Sequence, residues 1–285
     1  MPALVIGINY RTDEHALTFA RSLEGYSTDE VTVILVDNTE RGNPSEFFRR
    51  IGEANANIKC LQAPYNLGYF GGADFGLGQY LLSSPLPDWV VVCNVDIEFR
   101  DSQFFSTLRE LQTTESLGVV APRIWSVRWK RDLNPKINRR PSKARMNLYK
   151  VIFGNYYLQM AYEILSFLKN GLMASIRERL SSFRVRLHID MPVECPSSIY
   201  APHGSCMIFS RRYFSAGGNL AYSVFLFGEE IFVAETAKGL GLAVSYCPWL
   251  RILDNEHAST GIIRSRKVAG YMRDATNYLV EHYFV

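Results

Sequence analysis

Val90-Val91-Val92-Cys93-Asn94-Val95-Asp96-Ile97-Glu98 is the stretch that decides the reading of this chain. From Trp89 to Cys93 the residues are continuously apolar and mostly β-branched. They lack the alternation of a strand with one wet face, so the run predicts a strand covered on both sides. It ends in Asn94-Val95-Asp96, which puts Asn94 and Asp96 on the same side of the pleat. Working outward, two runs of similar kind come earlier, Leu4–Ile8 and Val31–Val36 leading into Asp37-Asn38, and Ile58–Ala63 is a third strand candidate. Helical stretches separate them, at His15–Leu23, at Pro44–Ala54, and from a glycine-rich turn through about Leu82. Strands alternating with helices predict an α/β fold with a mostly parallel, doubly wound sheet and flanking helices. Ligands of such sheets collect at the carboxyl ends of the strands, where Asp37, Asn66, Asn94 and Asp96 stand.

The composition is compatible with one large domain, or one carrying an insertion. At 47% hydrophobic and 21% charged, the chain can build its core without disulfides or a structural metal. The cysteines at 60, 93, 195, 206 and 247 are odd in number and form no CxxC pair. That argues against a zinc site or a disulfide framework and favours a reducing, cytoplasmic setting. The amino terminus lacks the basic start and long apolar run of a signal peptide. No window reaches the roughly eighteen apolar residues of a membrane span, so none is expected.

The charge is uneven. Between Arg128 and Arg186 lie fourteen Lys and Arg against three acids, a local +11 in a chain of net +3, so the remainder carries −8. This points to an anionic partner touching one region. The same region is rich in Tyr, Phe, Leu and Ile from Met146 to Leu168. Residues 126–190 therefore read as an inserted, basic, helical subdomain between 1–125 and 191–261, with a helical tail over 262–285.

Four local patterns carry chemistry. Asp96 at a strand end can hold a divalent cation through hard oxygen donors, or it can cap a helix starting near Asp101. Asn66-Leu67-Gly68-Tyr69-Phe70-Gly71-Gly72-Ala73-Asp74 is a turn into a helix whose amides could face phosphate or sugar oxygens, or only a turn. Phe225-Leu226-Phe227-Gly228-Glu229-Glu230 sets two acids before the helix Ile231–Lys238. In an apolar cleft one could act as a general base, while at a helix start both would also be favoured by the dipole. Asp254-Asn255-Glu256-His257 follows the strand Ala243–Tyr246 and offers a metal-side partner to Asp96, or a structural histidine.

Taken in order, these patterns resemble the GT-A-type family 2 glycosyltransferases, in particular the bacterial rhamnosyltransferase-like and galactofuranosyltransferase-like branch. The likeness runs through Val5-Ile6-Gly7-Ile8-Asn9-Tyr10, Ile34–Asn38, Asn66–Gly72, Asn94-Val95-Asp96, Ala201-Pro202-His203-Gly204-Ser205-Cys206-Met207, Phe227–Glu230 and Glu256–Gly261. It spans roughly residues 3–125 and 191–261 and leaves the insertion aside.

The resemblance implies a GT-A domain whose first half binds a nucleotide-sugar and whose second half brings the acceptor and the base. Asn9 and Asp37 would surround the nucleobase and ribose, and Asn66, Gly68 and Gly72 would shape the donor pocket. Asp96 would ligate Mg²⁺ or Mn²⁺, with Asn94 in place of the first acid of the usual Asp-x-Asp pattern. Glu230 would be the general base, where Asp is more common, and Glu229 its companion. His257, or Asp254 in its stead, would be the further metal-side residue. The implied reaction is inverting transfer of a sugar from a nucleoside diphosphate to a glycan or polyprenyl-diphosphate-linked acceptor in bacterial surface polysaccharide synthesis.

The basic segment could then rest on an anionic membrane surface at the inner face of the cytoplasmic membrane. Tyr149, Tyr156, Tyr157 and Tyr162 would serve as anchors, or the segment could pack on the catalytic domain or a second subunit. No nucleic-acid module accompanies the charge. A nucleotidyltransferase would need a basic phosphate loop after the first strand, where Asn9-Tyr10-Arg11-Thr12-Asp13 stands. A non-catalytic nucleotide-sugar-binding module should have lost the acids, yet both Glu229 and Glu230 are present. A nicotinamide dehydrogenase would need a dinucleotide fingerprint that is missing.

Overall fold

The computed structural model describes residues 2–40, 46–54, 57–111, 115–181, 197–255 and 265–285. The elements run β1 (Ala3–Asn9), α1 (Asp13–Leu23), β2 (Val31–Asp37), α2 (Glu46–Ala54), β3 (Ile58–Gln62), α3 (Gly68–Leu81), β4 (Trp89–Asn94), β5 (Ile97–Glu98), α4 (Phe104–Glu110) and β6 (Leu117–Ser126). They continue with β7 (Arg131–Asp132), α5 (Lys143–Gly154), α6 (Tyr156–Ser181), β8 (Ser197–Ile199), β9 (Cys206–Ser210), α7 (Arg211–Ser215), α8 (Glu229–Gly239), β10 (Ala243–Asp254) and α9 (Arg266–Tyr283).

The chain has an α/β fold with a mostly parallel central sheet and flanking helices. Its strand order is β3-β2-β1-β4-β9-β6-β10-β5, with β7 on β6 and β8 on β10. The first four strands are parallel, as the continuous apolar runs predict, and β6 and β10 are parallel to one another. Between these two blocks β9 runs antiparallel to both β4 and β6.

Both faces of the parallel block are covered, and the two-residue period of a strand decides which residue meets which helix. Val5, Val33, Leu35 and Val91 join Phe19 of α1 and Phe104 of α4 in one core. The intervening Ile6, Ile34 and Val36 face α3. That helix comes so close that a methyl group on Gly76 would stand 2.9 Å from Ile6 Cγ2 and 3.0 Å from Val36 Cγ2.

The chain divides into two compact units, 1–140 with 196–256, and 141–195 with 257–285. Residues 126–140, grouped with the insertion in the sequence, are tied to the first unit by the β6–β7 ladder and by an Ile137–Ala201 bridge. In the second unit α9 of the tail packs along α5, and Lys150 pairs with Glu281 at 2.9 Å. Insertion and tail thus form one unit. Among the described residues no helix is long and apolar enough to cross a membrane, and the four described cysteines are free thiols.

Candidate active site at the carboxyl edge of the sheet

The parallel register brings the strand ends level. Asn9 is the partner of Asp37, and Ile8 that of Asn94. Asn9 and Asp37 are buried, and Asn9 Nδ2 donates to Asp37 Oδ1 at 3.0 Å. Asn9 Oδ1 accepts from the Thr12 hydroxyl at 2.7 Å, so this side chain both opens α1 and orients Asp37. The Thr39 amide also donates to Asp37 Oδ1, at 3.0 Å, while Gln62 Nε2 donates to the carbonyls of Asp37 and Thr39 at 2.9 Å. These bonds fix the turn after β2 as a rigid wall. Gln62 and Thr39 have no sequence pattern that announces them.

The glycine-rich turn is built for close approach. Gly68 takes φ 74°, and a Cβ there would fall 2.0 Å from the Phe225 carbonyl oxygen. The Gly68 carbonyl accepts from Asn38 Nδ2 at 2.7 Å, Asn66 Oδ1 accepts from the Gly68 amide at 3.1 Å, and Gly72 rests on the Asn38 side chain. The turn therefore locks the end of β2 to the segment entering α8. Phe70 extends this link, stacking edge-on against Phe232 of α8 and Phe209 of β9 at centroid distances of 6.2 and 6.5 Å.

Asp96 does not cap a helix, because β5 intervenes and α4 begins only at Phe104. The chain after β4 turns back so that β5 pairs antiparallel with the end of β10, Ile97 opposite Asp254. The Asn255 amide donates to the Asp96 carbonyl at 3.0 Å, so Asp96, Asp254 and Asn255 share one corner of the sheet. Beside them Glu98 accepts from Arg100 and Asn255. Burial opposes its charge, but these bonds hold its carboxyl below the usual range. His257 lies outside the described residues, as does the whole Glu256–Gly261 stretch.

Glu229 and Glu230 open α8 behind Gly228, which takes φ 87°. Glu229 is 6% exposed and accepts from the Phe227 amide at 3.1 Å. Burial, and then the charge of Glu230, push its carboxyl up to about 8. That rise outweighs the roughly 1 kcal/mol a helix N-terminus returns to a carboxylate, so desolvation wins over the dipole here. The acid that this burial raises is Glu229. The Glu230 carboxylate lies against Gly204, where a methyl group would stand 3.1 Å from Oε1.

One residue further on, the Ser205 carbonyl accepts from the Asn94 amide at 3.1 Å. The 201–206 loop therefore joins the acids of α8 to the end of β4. Cys93 and Cys206 are register partners across β4 and β9. Both thiols are raised, by burial first; Asp96 adds to the effect on Cys93 and Asp254 to that on Cys206.

Two further residues belong to this corner, though the sequence assigns them no role. Tyr69 is buried, donates to the Val92 carbonyl at 3.3 Å, and is raised by burial, then by Cys93, Cys206, Glu229 and Glu230. His203 is held well below its ordinary pKa by burial, then by Lys136 and Arg131, so it is neutral at physiological pH. Its Nδ1 accepts from the Ser205 amide at 3.2 Å, which leaves the ring proton on Nε2. Its own amide donates to Asn134 Oδ1 at 2.7 Å. Both side chains gain their place from pairings between distant strands, which no local pattern encodes.

Among the described residues no three His, Cys, Asp or Glu side chains gather as an ion cage. A strand-end carboxylate such as Asp96 nevertheless fits the way Mg²⁺ is usually held, by one or two carboxylates plus the phosphates of the substrate.

This corner, at the carboxyl ends of β1, β2 and β4, belongs to an α/β fold of the GT-A type. Solved structures share it. The mannosyltransferase PcManGT from Pyrobaculum calidifontis, in complex with GDP-Man and Mn²⁺, superposes with a TM-score of 0.51 at 11% identity, over 90% of this chain and 57% of that one. GalNAc-T7 with UDP, GalNAc and Mn²⁺ gives 0.58 at 11% identity, over 99% and 50%. TarS 1-349 from S. aureus in complex with UDP-GlcNAc gives 0.50 at 12% identity, over 92% and 60%. The chain thus spans between half and three fifths of the length of these proteins. No family model matches the sequence, and no curated protein matches it.

Proposed function

We propose that the chain is an inverting glycosyltransferase that moves a sugar from a nucleoside diphosphate to a hydroxyl of a glycan or lipid-linked glycan acceptor. The observation that carries this reading is the single loop, 201–206, that bonds to Asn94 through Ser205 and meets the Glu230 carboxylate at Gly204. The end of β4 and the Glu230 side chain thereby contact the same loop, which supports a shared role. The fold is also that of proteins solved with GDP-Man, UDP and UDP-GlcNAc, two of them with Mn²⁺.

In this reading Asp37, held by Asn9 and Thr39, accepts from the nucleobase, and the Asn66–Gly72 turn walls the donor. Glu230 takes the proton of the acceptor hydroxyl as its oxygen attacks the anomeric carbon from the face opposite the diphosphate. The C–O bond to the diphosphate breaks in the same step, and the anomeric configuration inverts. Glu229, protonated up to about pH 8, keeps a second negative charge away from Glu230 at neutral pH. Asp96, with Asp254 or His257, would hold Mg²⁺ or Mn²⁺, and such an ion would neutralise the departing diphosphate.

A thermal-shift screen of nucleotide-sugars with and without Mn²⁺ tests the reading, since a ligand that binds only the folded chain raises its melting temperature. One nucleoside diphosphate sugar should stabilise the protein, more so with the cation, and Asp96→Ala should remove the cation-dependent part. A nucleoside triphosphate stabilising the chain better than every nucleotide-sugar would favour nucleotidyl transfer instead.

A further inference from the structure

The hairpin of α5 and α6 wears its apolar side outward. The two helices break at Asn155, whose Oδ1 caps α6 by accepting from the amides of Tyr157 and Leu158 at 2.9 and 3.2 Å. Tyr157, Leu165 and Leu168 are 64%, 66% and 60% exposed and, with Leu158, follow helical spacing along one face. Gln159 on the same helix is buried and bonds to Glu163 at 3.0 Å. Leu148 and Val151 of α5 are exposed as well. A water-facing helix with its glutamine inside and its leucines outside has the pattern of an interaction surface.

The rings divide in the same way. Tyr149, Phe153 and Tyr162 pack on one another at 5.6 to 6.1 Å, and Arg266 sits over Tyr156 at 5.5 Å. Of the four tyrosines considered as anchors from the sequence, Tyr157 is the one most exposed.

Cations accompany the face. Residues 143–169 hold Lys143, Arg145, Lys150 and Lys169 against one acid, Glu163, and of these Lys150 is paired with Glu281 of α9. Arg266 and Lys267, both exposed, begin α9 beside Tyr156. A two-fold contact between copies would set this cationic rim against itself, whereas a surface of anionic headgroups complements it while the leucines and Tyr157 enter the acyl boundary. We propose that the α5–α6 face docks the protein on a bilayer bearing anionic lipids, lying in the interface without spanning it. The inference stands on the second unit alone and does not depend on the reaction proposed above.

Sedimentation of the full chain with vesicles of phosphatidylcholine, with and without phosphatidylglycerol, tests this. The protein should pellet with the anionic vesicles only and be released by high salt. Lys143→Gln and Lys169→Gln should each weaken binding about fivefold. The double change Leu165→Ser and Leu168→Ser should weaken it roughly tenfold or more while the melting temperature stays unchanged. Equal pelleting with neutral vesicles, no pelleting, or undiminished binding by the serine variant would overturn the proposal. So would light scattering that shows a dimer which the serine changes split.

Discussion

Helices α6 and α8 break the usual rule of burial in opposite directions. Helix α8 takes acids inside: Glu229 and Glu235 are 6% and 8% exposed, although carboxylates are rarely buried without partners. Helix α6 instead leaves Leu165 and Leu168 in water. In α8 the cost is offset locally. Arg140 grips Glu235 with two bonds at 2.7 and 3.1 Å, the Tyr200 hydroxyl adds a third, and Glu229 retains a proton and an amide partner. In α6 nothing within the described unit offsets the exposed leucines. A buried acid that is compensated inside the fold is complete as it stands, whereas an exposed apolar face points to something that covers it.

The largest test of this contrast is Glu230→Gln. Loss of a general base should slow transfer by about 10²- to 10⁴-fold, while the thermal shift given by the donor is kept. A variant that still turns over would move the base elsewhere and leave α8 as a structural helix only.

Next in size is Arg140→Met, which strands the Glu235 carboxylate inside the protein and should cost about 3 kcal/mol, read by urea denaturation. Adding Glu235→Met should return most of that loss, because it removes the charge that lost its partner. A single change that is neutral would show that α8 is not held by this fork.

Glu229→Gln separates charge from hydrogen bonding, since the amide oxygen can still accept from Phe227. In the folded chain Glu229 keeps its proton to about pH 8, whereas its ordinary value is 4.5. Between those values the unfolded chain binds fewer protons, so the stability of the native protein falls as pH rises from about 4.5 to about 8. The variant lacks that slope. Melting temperatures should agree near pH 4.5, and the variant should melt several degrees higher above pH 8. The opposite order above pH 8 would mean that the carboxylate is stabilised in place. Smallest of all, Leu168→Ser in α6 should change stability by no more than about 0.5 kcal/mol, measured in urea. A large loss would mean that this face is already covered.

The contrast also explains what could be read from the sequence. Strands β1, β2 and β4 were legible because a strand buried on both faces has to be close to continuously apolar, and the residues at the ends of β2 and β4, Asp37, Asn94 and Asp96, could be named from position alone. Strand β9 was not legible as a central antiparallel strand. Its pairing with β4 and β6 is between residues far apart in the chain, and Cys206–Ser210 carries no mark of its neighbours. Tyr69 and His203 were missed for the same reason. Composition marks residues 126–190 as basic and helical; α5 and α6 lie in that stretch, but residues 131–132 form β7 on β6 instead, and composition does not show which side of α6 faces out. Nor did it show that Tyr149 would be spent on Phe153 and Tyr162, because facing depends on packing partners rather than on residue type.

In the proposed reaction Asp96 and Glu230 serve one bound donor. Crystals grown with Mn²⁺ and the stabilising nucleotide-sugar, measured at the manganese edge, test it directly. An anomalous peak should lie in bonding contact with the Asp96 carboxylate and the diphosphate, with the Glu230 carboxylate on the opposite side of the anomeric carbon. A peak remote from Asp96, or a donor bound out of reach of Glu230, would contradict it.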